Sequence, residues 1–215
     1  MGLKNKKLLI TAGPTWVKID DVRVISNIAS GETGILLANK AARSGAKVTL
    51  LLGPVPDKKY SLVKTIKLLP FKFFDELKEK IIKELKADKF DAVIHSAAVC
   101  DYKPKKTYKN KISSGLRFLT LNLVPTPKIL DLIKNKNKAL KVTGFKFETG
   151  ADRNKLVNKA KALLKRSKSD LVVANTISNS KYIAYIISSD KLCGPISDKE
   201  KLASELLKKI GGLLE

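Results

Sequence analysis

Histidine occurs once in the 215 residues, and tryptophan and methionine once each; cysteine occurs twice. A single imidazole and two thiols, Cys100 and Cys193, at no metal-ligand spacing leave a zinc centre without donors. They also rule out a disulfide framework, so both thiols are expected to be free and reduced. Long apolar runs are missing as well. Nothing approaches the roughly 20 apolar residues that cross a bilayer, and the lysine-rich start leads into only a short apolar run with no cleavage pattern. A cytoplasmic protein with no membrane contact is expected. Acidic residues number 20 against 43 lysines and arginines, for a net charge of +23, yet arginine is scarce, at Arg23, Arg43, Arg117, Arg153 and Arg166. Base reading favours the planar arginine fork. The lysines are also scattered and mixed with acids, as in Asp75-Glu76-Leu77-Lys78-Glu79-Lys80. They read as solvated faces with nonspecific attraction to nucleic acid, a dedicated nucleic-acid binder being the alternative.

Two phosphate signatures are absent too: there is no G-x-x-x-x-G-K-S/T, and no G-x-G-x-x-G in the first turn. What stands there is a polar, glycine-bearing stretch from Thr11-Ala12-Gly13-Pro14-Thr15 through Ser26-Asn27-Ile28-Ala29-Ser30-Gly31-Glu32-Thr33-Gly34. It lies between an apolar strand, Lys7 to Thr11, and a helical pattern, Gly34 to Arg43, stopped by Ser44-Gly45. Unpaired N–H groups at a helix start attract anions, so this stretch is the first candidate for a phosphate cradle.

The alternation continues. A buried strand, Lys47 to Leu52, closes with Gly53-Pro54-Val55-Pro56; strands follow at Thr65 to Leu69 and Asp91 to His95, with a helix at Phe73 to Ala87 between them. The Asp91 to His95 strand runs into Ser96-Ala97-Ala98-Val99-Cys100-Asp101-Tyr102, whose small residues let a ligand lie against the backbone. A basic, turn-prone loop, Lys103 to Lys111, is expected to be mobile, and the alternating segment Arg117 to Leu123 to be a strand returning from it as a flap. Thr126 is placed to cap a helix over Pro127 to Ile133. Strands at Lys141 to Lys146 and Leu171 to Asn175 flank a helix from Asp152 to Lys168. A β-rich segment, Tyr182 to Ser188, precedes a final helix from Ser197 to about Gly211-Gly212. Short links after helices imply parallel strands with crossover helices.

The strand ends near Gly13, Ala97, Phe145 and Asn175 should therefore converge on one sheet edge. They bring glycine, serine, amides, one Asp and lysines, with no Ser-His-Asp set and no paired acids at an obvious spacing. Backbone donors, cations and one carboxylate suit nucleotide phosphate chemistry, in which positioning and charge stabilisation carry most of the rate. Tyr60 and Lys64 match the Y-x-x-x-K pair of short-chain NAD(P) oxidoreductases, but they precede the Ala97-Ala98 strand end and lack a glycine fingerprint.

Several segments together resemble phosphopantothenate-cysteine ligase, also called phosphopantothenoylcysteine synthetase. They are Ile10 to Thr15, Asp21 to Asn27 with Ser30 to Gly34, Ala97 to Tyr102, Lys111-Ile112, Pro127 to Leu130, Gly144-Phe145 with Glu148-Thr149, and Asp170 to Asn175. The resemblance implies a Rossmann-like three-layer α/β fold with a mostly parallel sheet and a flap with a strand around 107–124, residues 1–215 forming one synthetase domain. The implied reaction joins 4'-phosphopantothenate to L-cysteine through an acyl-nucleotide, with release of pyrophosphate, in coenzyme A biosynthesis. Asn27 would hold the acyl intermediate, with Ala97, Ala98 and Asp101 contacting substrate and intermediate. Gly13, Ser30, Gly31 and Gly34 would cradle the triphosphate, and Phe145 and Asn175 would line the nucleotide side. Arg23 would reach the phosphopantothenate phosphate across a homodimer interface, and Asp101 is the carboxylate available to Mg²⁺. His95 and Cys100 match no role in the family and read as packing.

This sequence departs from the family in three places. Many bacterial members carry Lys-x-Lys-Lys in the flap, whose middle lysine helps form the intermediate; here Lys111-Ile112-Ser113-Ser114 stands, leaving Lys109 or Lys111 to supply the cation. Two family lysines on the long helix fall at Leu163 and Ser167, with Lys161 and Lys165 close by as substitutes. The nucleotide is left as CTP or ATP, with CTP expected because bacterial members mostly use it. Many relatives also carry a flavin-dependent decarboxylase ahead of the ligase. Here a stand-alone enzyme with a separate decarboxylase and no flavin is expected, an excised domain being the alternative.

Overall fold

Aliphatic runs form the strands of this fold and amphipathic segments the helices that cover them. The computed structural model describes residues 2–55 and 60–215. In chain order the elements are β1 (Lys7–Ala12), β2 (Trp16–Lys18), β3 (Val24–Ser26), α1 (Glu32–Arg43), β4 (Lys47–Leu52), β5 (Lys67–Pro70), α2 (Phe74–Ala87), β6 (Ala92–His95), β7 (Tyr102–Pro104), β8 (Leu123–Pro125), α3 (Ile129–Lys136), β9 (Lys141–Phe147), α4 (Arg153–Ser167), β10 (Leu171–Ser178), β11 (Lys181–Ile187), β12 (Leu192–Ile196) and α5 (Lys199–Leu213).

The main sheet has eight strands in the order β12-β11-β10-β9-β6-β1-β4-β5. From β5 to β10 every neighbouring pair is parallel, while β11 and β12 close one edge antiparallel. The period of two along each strand sorts its side chains between two cores. Leu8, Ile10 and Ala12 join Leu50 and Ile94 beneath α1 and α5. Leu9, Leu51, Val93 and Val142 face the other way, onto Phe74, Leu77 and Ile81 of α2 and Ile133 of α3. Leu156 and Ala160 of α4 cover Val172 and Ala174. This is the mostly parallel, three-layer α/β arrangement expected. The chain starts in the middle of the sheet, builds β4 and β5 to one side, then returns to build β6, β9 and β10 on the other. The order therefore reverses between β1 and β6, and a crevice opens there at the carboxyl ends of the strands.

Several local expectations fail for identifiable reasons. Arg117 to Leu123 forms no strand: Phe118 is 80% and Leu119 45% exposed, so the alternation has no buried face, and only Leu123–Pro125 pairs, with Tyr102–Pro104. The basic loop before it touches the turn after β2 through a hydrogen bond from Tyr108 N to Ile19 O (2.9 Å). Thr126 does not cap α3, whose N-cap is Lys128; its hydroxyl instead donates to Cys100 O (2.6 Å). The end of α5 at Leu213 does agree with the expected stop near Gly211-Gly212, and buried Gly211 packs against the backbone of Gly2. The hairpin of β2 and β3, and strand β12, were not expected at all. Pro56 of the expected turn lies outside the described residues.

Candidate active site

The crevice at the reversal point is a cleft of about 920 Å³. Its floor is made where β1 and β6 end. Ala98 N donates to Gly13 O (2.9 Å) and Thr15 N to Ala98 O (3.2 Å), which stitches the two strand-end loops together. Asn27 closes the seam from above, its Nδ2 donating to Ala98 O (3.1 Å) and Val99 O (3.0 Å). One wall is the start of α1. Gly31, its N-cap, has φ +71° and lies so close to Val55 and Gly13 that a Cβ would stand 2.8 Å from Val55 Cγ1. The N-cap of α1 has no side chain to offer; Glu32 N makes a long bond to Ser30 Oγ (3.4 Å), and the first-turn residues Glu32, Thr33 and Gly34 line the cleft. At Gly34 the helix passes so close to β1 that a Cβ would lie 2.5 Å from Ala12 Cβ.

Gly13, Asn27, Ser30, Gly31, Gly34, Ala97, Ala98, Asp101, Phe145 and Asn175 all line this cleft, so residues far apart in sequence are brought together. Five other candidates are not among its lining residues. From α4 the cleft takes Lys159, Ala162, Leu163 and Arg166, one stripe at helical spacing; Lys161 and Lys165 are turned away, contrary to their expected nucleotide role. Lys109 and Lys111 are exposed on the loop outside. Arg23 is engaged within its own chain, its Nη1 donating to Asp20 Oδ2 (2.8 Å) and Ile112 O (3.1 Å). Asp20 is buried and organises this junction. The Ile112 N–H bond, together with those from Val22 and Arg23, outweighs burial and holds its pKa at about 2. Tyr60 packs against the first core, and neither it nor Lys64 is among the lining residues, so the oxidoreductase pair has no place at this site.

None of the cleft's five cations is among the candidate site residues read from the sequence. Lys128, Lys146, Lys159, Arg166 and Lys199 line the cleft, against the carboxylates of Glu32 and Asp101. Each cation has an acidic neighbour: Lys128 with Asp101 (2.6 Å), Lys146 and Lys159 with Glu148 (2.8 and 2.5 Å), Arg166 with Asp131 (3.7 Å), and Lys199 with Glu32. Bonds from Lys146 and then Lys159 hold the Glu148 carboxyl below its usual pKa. Helical spacing from Leu163 would have found Lys159 and Arg166; Lys199 comes from the far end of the chain and carries no local signal. Among the described residues no group of three or more His, Cys, Asp or Glu could hold a metal ion. No helix there is long and apolar enough to cross a membrane.

Both cysteines are free, and Cys100 is buried with its thiol donating to Thr15 O (3.2 Å). His95 is buried too, bonded through Nδ1 to Thr11 Oγ1 (2.8 Å), and it also lines the cleft. Burial pushes its pKa down to about 4. The unfolded chain takes up this proton as pH falls through about 6.5, whereas the folded protein resists until about 4. The stability involved is complete above about pH 6.5 and is lost as pH falls towards 4, about 2 kcal/mol of it between pH 7 and pH 5. Urea midpoints measured over that range should fall for the wild type and stay nearly level for His95→Gln; parallel curves would show that His95 is not the titrating group.

A family model, the DNA/pantothenate metabolism flavoprotein C-terminal domain, matches residues 3–213. The bifunctional coenzyme A biosynthesis protein CoaBC of Thermococcus kodakarensis is 40% identical over 177 residues, covering 81% of this chain and 42% of its own length. The CoaBC protein of Borreliella burgdorferi is 36% identical over 215 residues, covering 96% of this chain and 52% of its own. The chain thus spans about half the length of these curated relatives. Among solved structures, the DNA/pantothenate metabolism flavoprotein from Streptococcus pneumoniae superposes with a TM-score of 0.85 at 27% identity, over 97% of this chain and 99% of the other.

Proposed function

The chain belongs to the DNA/pantothenate metabolism flavoprotein C-terminal domain family, and on that premise we propose that it is a phosphopantothenate–cysteine ligase domain of coenzyme A biosynthesis. The observation that carries this reading is the cleft itself. It offers a helix start whose N-cap is a glycine and five cations each paired with an acid, and it lies at the topological switch point of a parallel sheet. In this reading the carboxylate of 4'-phosphopantothenate attacks the α-phosphate of CTP or ATP. The P–O bond to the β-phosphate breaks, and an acyl-nucleotide and pyrophosphate result. The cysteine amine then attacks the acyl carbon and the nucleoside monophosphate departs.

The start of α1, with Gly13, Ser30, Gly31 and Gly34, holds the triphosphate through backbone N–H groups that need no reorganisation as charge moves. Asn27 and the loop of Ala97 and Ala98 place the acyl carbon, and Phe145 and Asn175 flank the base. Lys159 and Arg166 take the electrostatic role that the sequence suggested for Lys161 and Lys165. Asp101, which lines the cleft beside Lys128, would be the protein carboxylate for a Mg²⁺ carried in by the triphosphate, and the ion would supply charge neutralisation. Arg23, outside the cleft of its own chain and next to exposed Val22 and Val24, suits a homodimer in which it meets a second copy's substrate. A cytoplasmic location and a partner decarboxylase accompany the pathway assignment.

With phosphopantothenate, cysteine, Mg²⁺ and either CTP or ATP, the protein should release pyrophosphate in step with product. Leaving out cysteine should limit release to about one equivalent per site. Silence with both nucleotides would overturn the assignment, and running them side by side fixes the base preference.

A further inference from the structure

Helices α4 and α5 begin behind Asp152 and Asp198, whose carboxylates accept from the N–H groups of Lys155 and Lys201 (2.8 and 2.6 Å). α1 begins with no such cap. Beside its open end three side chains from three elements meet: Glu32 of α1, Tyr182 of β11 and Lys199 of α5, all lining the cleft. The Lys199 ammonium is paired with the Glu32 carboxylate and stands 5.9 Å from the centroid of the Tyr182 ring. The Tyr182 hydroxyl is buried and has no hydrogen-bond partner among the described residues. Burial, and then the Glu32 charge, push the Tyr182 pKa upward, so the phenol keeps its proton and can donate it. Glu32, the one carboxylate of the three, has a side chain 60% exposed, whereas that of Lys199 is 32% exposed. A buried hydroxyl left without a partner and an ammonium neutralised only by an exposed carboxylate form a donor set prepared for an anion.

We propose that Lys199 and Tyr182 bind the outer phosphates of the nucleotide, with Glu32 serving as a resting counter-ion that the phosphate displaces. The inference rests on the nucleotide-dependent reading of the cleft and extends it to residues outside the motifs that led to that reading. On binding, Lys199 exchanges a carboxylate oxygen for a phosphate oxygen, and the orphan hydroxyl of Tyr182 gains an acceptor. The carboxylate of Glu32 swings into solvent at little cost because it is already largely exposed. A nucleoside monophosphate has no outer phosphates and gains nothing here.

Isothermal titration with CTP, ATP and CMP in the presence of Mg²⁺ tests this on four variants. Lys199→Gln should weaken triphosphate binding about tenfold or more, the loss expected for a charged hydrogen bond; Tyr182→Phe should weaken it several-fold. Glu32→Gln, which removes the competing carboxylate, should tighten it several-fold. Lys199→Gln and Glu32→Gln break the same ion pair, so a merely structural bridge would move affinity the same way in both. CMP affinity should stay level throughout, and Lys208→Gln, an exposed charge on the same helix, should match the wild type. Unchanged triphosphate affinity in Lys199→Gln, or weakening in Glu32→Gln, would overturn the proposal. Wild-type triphosphate binding with the expected variant pattern but no pyrophosphate release would overturn the ligase reading and leave this subsite standing. Pyrophosphate release with Lys199→Gln binding normally would sink the subsite alone, and absence of triphosphate binding in the wild type would sink both.

Discussion

Replacing Gly34 with alanine should lower stability by about 2–3 kcal/mol, the upper range for overpacking, and bring thermal unfolding down by roughly 4–12 °C. The added methyl would lie 2.5 Å from Ala12 Cβ, 2.6 Å from Ser96 Oγ and 3.2 Å from Ala12 Cα. Ser96 can rotate only by giving up its 2.7 Å bond to Thr11 O, and Ala12 cannot rotate at all. The helix must therefore retreat by roughly 1 Å to restore van der Waals distance. That displacement carries the open start of α1 away from the cleft floor, and misplacement on this scale can cost about a hundredfold in rate. Gly212→Ala is the matched control. Nothing lies within 4 Å of a Cβ there, and the residue sits in an exposed turn of α5, so alanine should be neutral or stabilising by up to about 1 kcal/mol. Calorimetric melting of the two variants checks the pair; equal melting temperatures would mean that α1 has slack against β1.

Asn27→Ala should do the reverse, sparing the fold and disabling the site. Its amide makes two hydrogen bonds to Ala98 and Val99 carbonyls, but the residue is exposed, so their loss should cost only about 1 kcal/mol. Those carbonyls belong to the loop that, in the proposed reaction, meets the acyl carbon. Without the amide the loop keeps its bonds to the Gly13 and Thr15 backbone and to the Thr11 and Thr15 hydroxyls, but the Val99 carbonyl loses its donor and the contact across the cleft is gone, so product formation should fall about a hundredfold or more. Asn27→Asp, equal in size, would turn a carboxylate towards the same two oxygens and add charge beside anionic substrates, so its loss should be at least as large. Single-turnover pyrophosphate release measured with and without cysteine separates the two half-reactions. An unchanged rate in both would remove Asn27 from the site.

The central sheet was legible because its strands are continuous aliphatic runs: β1, β4, β6, β9 and β10 fall within a few residues of where periodicity put them. Elements defined by contact rather than composition were not. β2 and β3 have three residues each, too few to alternate, and β12 contains Gly194 and Pro195, which locally read as a turn; it is a strand only because β11 lies alongside. Arg117 to Leu123 erred the other way, alternating with no sheet to cover it. The cleft divides similarly. Glycines, small strand-end residues and Asn27 carry their reasons in local sequence, so their convergence could be anticipated. Whether a lysine faces the cleft depends on helix rotation, which separated Lys159 and Arg166 from Lys161 and Lys165. Lys199 meets Glu32 across 167 positions of sequence, and only the folded chain shows it.

That long reach has a consequence for how the protein is made. α5 packs on α1 through the core that Ile35, Leu37 and Ala38 share with Leu202, Leu206 and Ile210, and through the Lys40–Glu200 bridge (2.7 Å). A ribosome delivers β1, α1, β4 and β6 well before residues 199–213. Until those last residues emerge, α1 has the sheet beneath it but lacks the cover that α5 supplies, and the cleft lacks Lys199. In the proposed reading the nucleotide subsite is completed only at the end of synthesis, so during elongation the first half relies on its own sheet contacts or on chaperones.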